Sequence, residues 1–361
     1  MKFSIIRNNA TSLGYKIADE ITEKCLSHGH IISTDPYQAN FILNITNVMD
    51  PQFFKRRSKS VFLITIVSGE NINGNMQSAC YTTLIKTFAN MLICAREESN
   101  NHLKAYFTTP EAGFYNIEYD AEEAYNLMIP VAGAHYSTEN VFIPDLPERF
   151  YSGSPVVDEI IKFGKKMDEL GVLPAPFPLR QLLSEEDMLH LYRVFGITGA
   201  SYGNLSSKEE ITEFEPPVFW MTGRGVNKSC LSTIGKDLLL VKDFDFQTGT
   251  AIISQPVSYD PKARVSVDAV EHALIYKTFP DTGAIIHLHA WMDGVLCTHQ
   301  NHPCGTTELA QEVVELLKKT DNPESAVVGL KNHGLTITGR SFEEIFIRIS
   351  CKLKTEVPMF A

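Results

Sequence analysis

The sequence predicts a two-domain α/β protein, with a Rossmann-like α/β domain over residues 1–150 and a second α/β domain over residues 151–361. Three observations lead there. Apolar runs of strand length alternate with helical segments through the first 150 residues. A stretch rich in proline and polar residues follows at 142–155. The second half then sets histidines and glycines at the ends of further strand-like runs. With 44% hydrophobic residues over 361 positions, the chain is long enough for two proper cores.

In order along the chain, residues 2–6, 39–45 and 60–67 read as strands, and residues 11–28 and 78–96 as helices. Continuous apolar strands between helices suggest a buried parallel sheet. No glycine fingerprint follows the first strand: Arg7, Asn8, Asn9 and Ala10 offer no tight turn for a pyrophosphate, so no dinucleotide is expected. The basic run at 55–59 reads as a solvated helix face. The 142–155 stretch makes a linker, and residues 156–170 an amphipathic helix stopped by Gly171. Pro174, Pro176 and Pro178 open an excursion that runs to about Phe195.

The second half carries the chemistry. Residues 266–276 read as a helix with Ser266 as N-cap and Asp268 in the first turn. A turn at Pro280 and Asp281 leads into the apolar run Ala284, Ile285 and Ile286, then His287, Leu288 and His289. A strand alternates its side chains with period two, so His287 and His289 share a face. His333 follows 44 residues after His289, directly before Gly334, which reads as a turn bringing another strand end to the site. Three neutral imidazoles suit zinc and leave a coordination position open for a carboxylate, water or substrate oxygen.

From about Ser154 onward the chain resembles the class II aldolase/adducin family. The matching segments, in order, are residues 202–206 (YGNLS), 221–225 (MTGRG), 266–268 (SVD), the H-x-H strand, 305–310 (GTTELA) and 332–334 (NHG). The resemblance implies a three-layer α/β/α domain and a homotetramer with active sites between subunits. It implies that His287, His289 and His333 hold a divalent metal ion, usually Zn2+, and that Asp268 is the catalytic carboxylate. It also implies that Asn204, Thr222, Gly223 and Ser266 bind a substrate phosphate, through backbone and hydroxyl groups and without a dedicated cation.

Three departures qualify what carries over. Val267 stands where the family has a second serine, so the substrate need not be a phosphate ester. Ala310 stands where the related epimerase has an acid–base aspartate. The family's aldolases also use a C-terminal tyrosine, and no tyrosine follows Tyr276 here. His272, Tyr202, Glu308 and His302 are candidates for the missing acid by sequence proximity alone. The expected activity is a lyase of carbohydrate metabolism, an aldolase cleaving a hydroxy-carbonyl sugar or sugar phosphate through a metal-stabilised enediolate. Epimerisation or dehydration on the same site, and an adducin-like assembly role, are the alternatives.

Composition excludes other classes. A net charge of −11 argues against nucleic-acid binding. No apolar stretch reaches membrane-spanning length and the start lacks a signal peptide's apolar core, so a cytoplasmic protein without membrane contact is expected. The seven scattered cysteines read as reduced thiols, with packing the expected role of Cys297 and Cys304.

Overall fold

A computed structural model gives the structure of the chain and describes residues 1–58, 60–98, 102–111, 113–173, 179–195 and 201–361. The chain begins as β1 (Lys2–Arg7), α1 (Ser12–Ser27), β2 (Ile31–Ile32), β3 (Phe41–Ile45) and β4 (Phe62–Ser68). Then come α2 (Met76–Thr87), β5 (Met91–Glu97), β6 (Leu103–Thr108), β7 (Phe114–Glu118) and α3 (Ala121–Ala132). The seven strands form one sheet in the order β2-β1-β3-β4-β5-β6-β7. The first five are parallel, and β6 and β7 add antiparallel at one edge. This 2-1-3-4-5 order is that of a doubly wound sheet.

Alternation along the strands divides the core. Phe41, Leu43 and Ile45 face α1 and α3, while Ile42, Leu63 and Leu92 face α2. The helix expected over 78–96 ends at Thr87, where Phe88 takes a left-handed conformation at φ 54° and the chain turns into β5. The Met91–Ala95 run is fully buried beside β4, and periodicity alone does not separate such a run from a buried helix.

The second sheet starts before the expected linker, with β8 (Glu139–Ile143). After it come α4 (Pro155–Glu169), α5 (Leu179–Leu182), α6 (Glu185–Phe195), β9 (Asn204–Lys208), β10 (Phe219–Thr222), β11 (Leu238–Asp245) and β12 (Thr250–Ser254). The chain closes with α7 (Ala269–Thr278), β13 (Ala284–Leu288), β14 (Leu296–Cys297), α8 (Thr307–Leu317), β15 (Val327–Leu330), β16 (Gly334–Gly339) and α9 (Phe342–Ile349). The nine strands run in the order β14-β15-β16-β13-β9-β10-β11-β12-β8. The supposed linker is packed, since Leu146 and Phe150 enter the core. The expected excursion falls at 174–178 outside the described residues, and its remainder holds α5 and α6.

One face of this sheet packs on α4 and α9 through Trp220, Leu240, Ile286, Phe163 and Phe342. The other packs on α7 and α8 through Phe219, Leu239, Ile285, Ala273 and Val313. The result is three layers, α/β/α. Trp220 and Phe163 are buried at its centre, and truncating either to alanine costs about 3–5 kcal/mol. The two sheets are not independent, because α6 lies on α2 and its Leu191 joins the first sheet's core. Among the described residues, no helix is long and apolar enough to cross a membrane.

Candidate active site

β13 runs antiparallel to β9 on one side and to β16 on the other. Ala284, Ile286 and Leu288 point into the α4/α9 core, so Ile285 and His287 face the α7 layer. His289, just past the strand end, keeps that face, and its ring centroid lies 5.1 Å from that of His287. His333 arrives from the turn before β16, where Asn332 takes φ 59°, a conformation asparagine tolerates better than most residues. The Asn332 side chain is clasped by the Phe360 backbone, donating to O at 2.8 Å and accepting from N at 2.6 Å. Two glycines permit the convergence. A Cβ on Gly203 would sit 2.4 Å from the His287 carbonyl oxygen, and one on Gly334 would sit 2.0 Å from that of Leu288.

The donor nitrogens of His287, His289 and His333 all lie within 4.8 Å of one another, and those of His289 and His333 come within 3.1 Å. Nitrogens sharing a tetrahedral zinc sit roughly 3.4 Å apart. His287 Nδ1 donates to the Leu335 carbonyl at 3.1 Å, which fixes its tautomer and leaves a buried Nε2 with no partner. Burial holds all three imidazoles below their ordinary pKa, and their mutual proximity adds to this for His289 and His333. Neutral, convergent and with an orphaned nitrogen, the set fits a divalent ion.

Asp268 faces this triad from the end of α7, where it is the N-cap residue without a capping bond of its own. The helix therefore begins after Asp268, and Ser266 is not its cap: the Ser266 amide donates to the Thr222 carbonyl at 3.2 Å. Asn204 Nδ2 donates to Asp268 Oδ2 at 2.6 Å. One turn further, Glu271 is buried, and desolvation with the Asp268 charge raises its carboxyl to about 8; Thr336 Oγ1 donates to it at 2.6 Å. His272 is sealed beneath the site, bonded to Ser206 Oγ at 2.7 Å and driven down to about 3 by burial.

Cys304 does more than pack. Its Sγ is 3.2 Å from His333 Nε2, and with Asp268 and His287 it forms a second group whose donor atoms lie within 4.8 Å. Burial, then the surrounding carboxylates, raise its thiol well above the ordinary value. All seven cysteines are free thiols.

Asp268, His287, His289 and Cys304 open onto a cavity of about 980 Å³, open solvent included. Gly223 and Ser266 line it, as do Asn204, Asp268, His287 and His289. Thr222 does not: it is fully buried, its hydroxyl accepting from the Leu205 amide at 3.3 Å. Alongside the expected backbone and hydroxyl groups, the cations Arg56, Arg224 and Lys228 line the wall. Lys228 Nζ donates to the Ser201 carbonyl at 3.1 Å, and burial lowers it to about 8. Arg224, lowered to about 10 chiefly by burial, keeps an unpartnered Nε. Arg56 comes from the 55–59 basic run, whose described part is not helical; its guanidinium turns inward to the carbonyls of Val61 and Phe88 and to Asn90 Oδ1.

Residues 187–298 match the family model described as Class II Aldolase and Adducin N-terminal domain. Over this part the chain is similar to the class II aldolase/adducin family. No curated protein matches the sequence. Among solved structures, L-fuculose 1-phosphate aldolase is similar over 55% of this chain and 82% of its own, at 18% identity and TM-score 0.35. YgbL from Escherichia coli is similar over 54% and 84%, at 17% identity and TM-score 0.34. The N-terminal class II aldolase domain of a conserved protein from Thermoplasma acidophilum is similar over 58% and 95%, at 14% identity and TM-score 0.34.

The aldolase-like domain does not build its cavity alone. Glu111 and Tyr136, like Arg56, reach the wall from outside the matched segment. The chain around Tyr136 runs along the G-T-T motif, with Ser137 N donating to Gly305 O at 2.8 Å and Thr307 N to His135 O at 3.1 Å. Of the four acids considered from sequence, Tyr202 alone lines the cavity, edge-on to His289. Glu308 is bonded to His135, and His302 Nδ1 lies 3.3 Å from the Pro130 carbonyl. Lys228 and Cys304 stood next to quoted motifs and could have been found by extending them. Arg56 and Glu111 carry no motif.

Proposed function

We propose that this chain is a metal-dependent lyase that cleaves a hydroxy-carbonyl sugar or sugar phosphate by a retro-aldol reaction. The observation that carries the reading is the buried, neutral histidine triad beside the Asp268 carboxylate, with His287, His289 and Asp268 on the wall of one cavity. Zinc is the favoured ion for three imidazoles. Held by His287, His289 and His333, it would polarise the carbonyl and adjacent hydroxyl oxygens of a substrate as a Lewis acid.

The remaining work falls to side chains. Asp268, steadied by Asn204, is placed to take a proton from the substrate hydroxyl. Arg224 and Lys228, with Asn204, Gly223 and Ser266, offer a cationic and hydrogen-bonding cradle for a phosphate or carboxylate, while Thr222 would act from behind by holding the Leu205 and Ser266 backbones. Two cations on the wall, the part-buried Arg224 and the buried Lys228, favour an anionic substrate. Epimerisation or dehydration would use the same ligands and base, and stands second. A homotetramer in the cytoplasm completes the proposal.

Metal content by mass spectrometry tests it, comparing wild type with His287→Ala/His289→Ala. About one divalent ion per chain in the wild type, lost in the variant, together with aldehyde release from ketoses or ketose phosphates, is expected. No metal after reconstitution would overturn the enzyme reading in favour of an adducin-like role.

A further inference from the structure

We propose that Glu111, carried by the first sheet, is a second catalytic acid–base residue of this site, opposite Asp268, so that the N-terminal part of the chain completes the active centre. The inference rests on the lyase reading above.

Glu111 sits in the turn between β6 and β7, on the sheet the aldolase-like domain does not contain. That turn is docked on the metal-site segments at two points. Glu111 Oε1 accepts from the Cys304 amide at 3.3 Å, and the Cys304 thiol touches His333. Gly113 lies against the turn carrying His333, where a Cβ would come 3.3 Å from the Asn332 carbonyl oxygen. The side chain is only partly covered and lines the same cavity as Asp268, His287 and His289.

Among the described residues its hydrogen-bond partners are the Cys304 amide, the Thr109 side chain and its own backbone, all neutral. A structural carboxyl turned away from bulk water is ordinarily matched by a cation. Burial raises this carboxyl above its ordinary value, and the Asp268 charge adds to the effect. Two carboxyls that sense each other across one cavity are the arrangement that separates an acid from a base.

Aldol cleavage needs such a pair. Asp268 takes the proton of the substrate hydroxyl as that carbon–oxygen bond becomes a carbonyl, and the neighbouring carbon–carbon bond breaks. Its electron pair passes into the enolate of the other fragment, and Glu111 delivers its proton to that carbon. An aldehyde and a ketone leave, and the proton on Asp268 returns to Glu111 through water. Ala310, buried within α8, can supply neither proton.

The test uses the full-length protein with its measured metal: wild type, Glu111→Gln, Glu111→Asp and Asp268→Asn. Dihydroxyacetone and dihydroxyacetone phosphate in deuterated water probe carbon–hydrogen exchange by NMR, and glycolohydroxamate, which presents two adjacent enediolate-like oxygens, probes binding by calorimetry. Expected is exchange in the wild type that drops at least about 100-fold in Glu111→Gln and survives in part in Glu111→Asp. Metal content and hydroxamate affinity should stay near wild type in both. Glu111→Gln exchanging at the wild-type rate overturns the proposal, as does a wild type that binds the hydroxamate but exchanges neither ketone. A wild type that neither binds nor exchanges sinks the lyase reading itself, and this inference with it.

Discussion

Asn204 donates to Asp268 at 2.6 Å, tying the first residue of β9 to the residue that caps α7. The strand that abuts His287 thereby aims the carboxylate at the histidine triad. Hydrogen bonds to a charged group contribute about 1.5–3 kcal/mol. Asn204→Ala should therefore lower kcat about 10- to 100-fold while leaving metal content unchanged. A drop confined to KM would assign Asn204 to substrate binding instead.

Gly334 is where β16 passes closest to β13. A methyl group there would meet the Leu288 carbonyl oxygen at 2.0 Å, so the strands must part. His289 and His333 sit on either side of that contact. Gly334→Ala should weaken metal retention under chelator challenge by at least about tenfold, and melt earlier by about 1–3 kcal/mol. Retention equal to wild type would mean the triad tolerates strand separation.

Lys228 is charged below about 8 and neutral above it, because burial disfavours the ammonium. Sulfate, whose charge is constant over this range, should bind more weakly as pH rises through 8, by calorimetry. Lys228→Met should lose the pH dependence together with about tenfold in affinity at pH 7. A flat wild-type profile would remove Lys228 from the anion site.

Glu271 has a folded-state pKa raised to about 8 from an ordinary 4.5. The folded state holds the proton more tightly, so the associated stability is present below pH 4.5 and lost as pH rises to 8. Glu271→Gln keeps an acceptor for Thr336 and cannot ionise. Denaturant titrations of the metal-free protein should show the wild type losing at least about 1 kcal/mol more than the variant between pH 5 and 8. Parallel curves would show that Glu271 titrates as an ordinary carboxylate.

Much of the site was legible because its geometry is local. A period-two strand puts His287 and His289 on one face in any context, and N-H-G marks a turn that only asparagine and glycine adopt cheaply. The end of α2 was not legible: Met91–Ala95 is apolar on both faces, so no period separates a buried strand from a buried helix. The inward course of Arg56 was hidden in the same way, since its partners at 61, 88 and 90 come together only when β4 and β5 pair.

The sequence by itself determined the two α/β units and the shared face of His287 and His289, because each follows from side-chain periodicity within a few residues, while His333 and Asp268 were suggested by turn chemistry and the family resemblance. Tertiary structure alone decided that Asn204 orients Asp268, that Thr222 faces away from the cavity, and that Arg56, Glu111 and Tyr136 enter its wall. Those contacts join segments tens to hundreds of residues apart. The first two arise where strands and helix of the second sheet pack together, the last where the other part of the chain docks on it, and no local pattern encodes how surfaces meet.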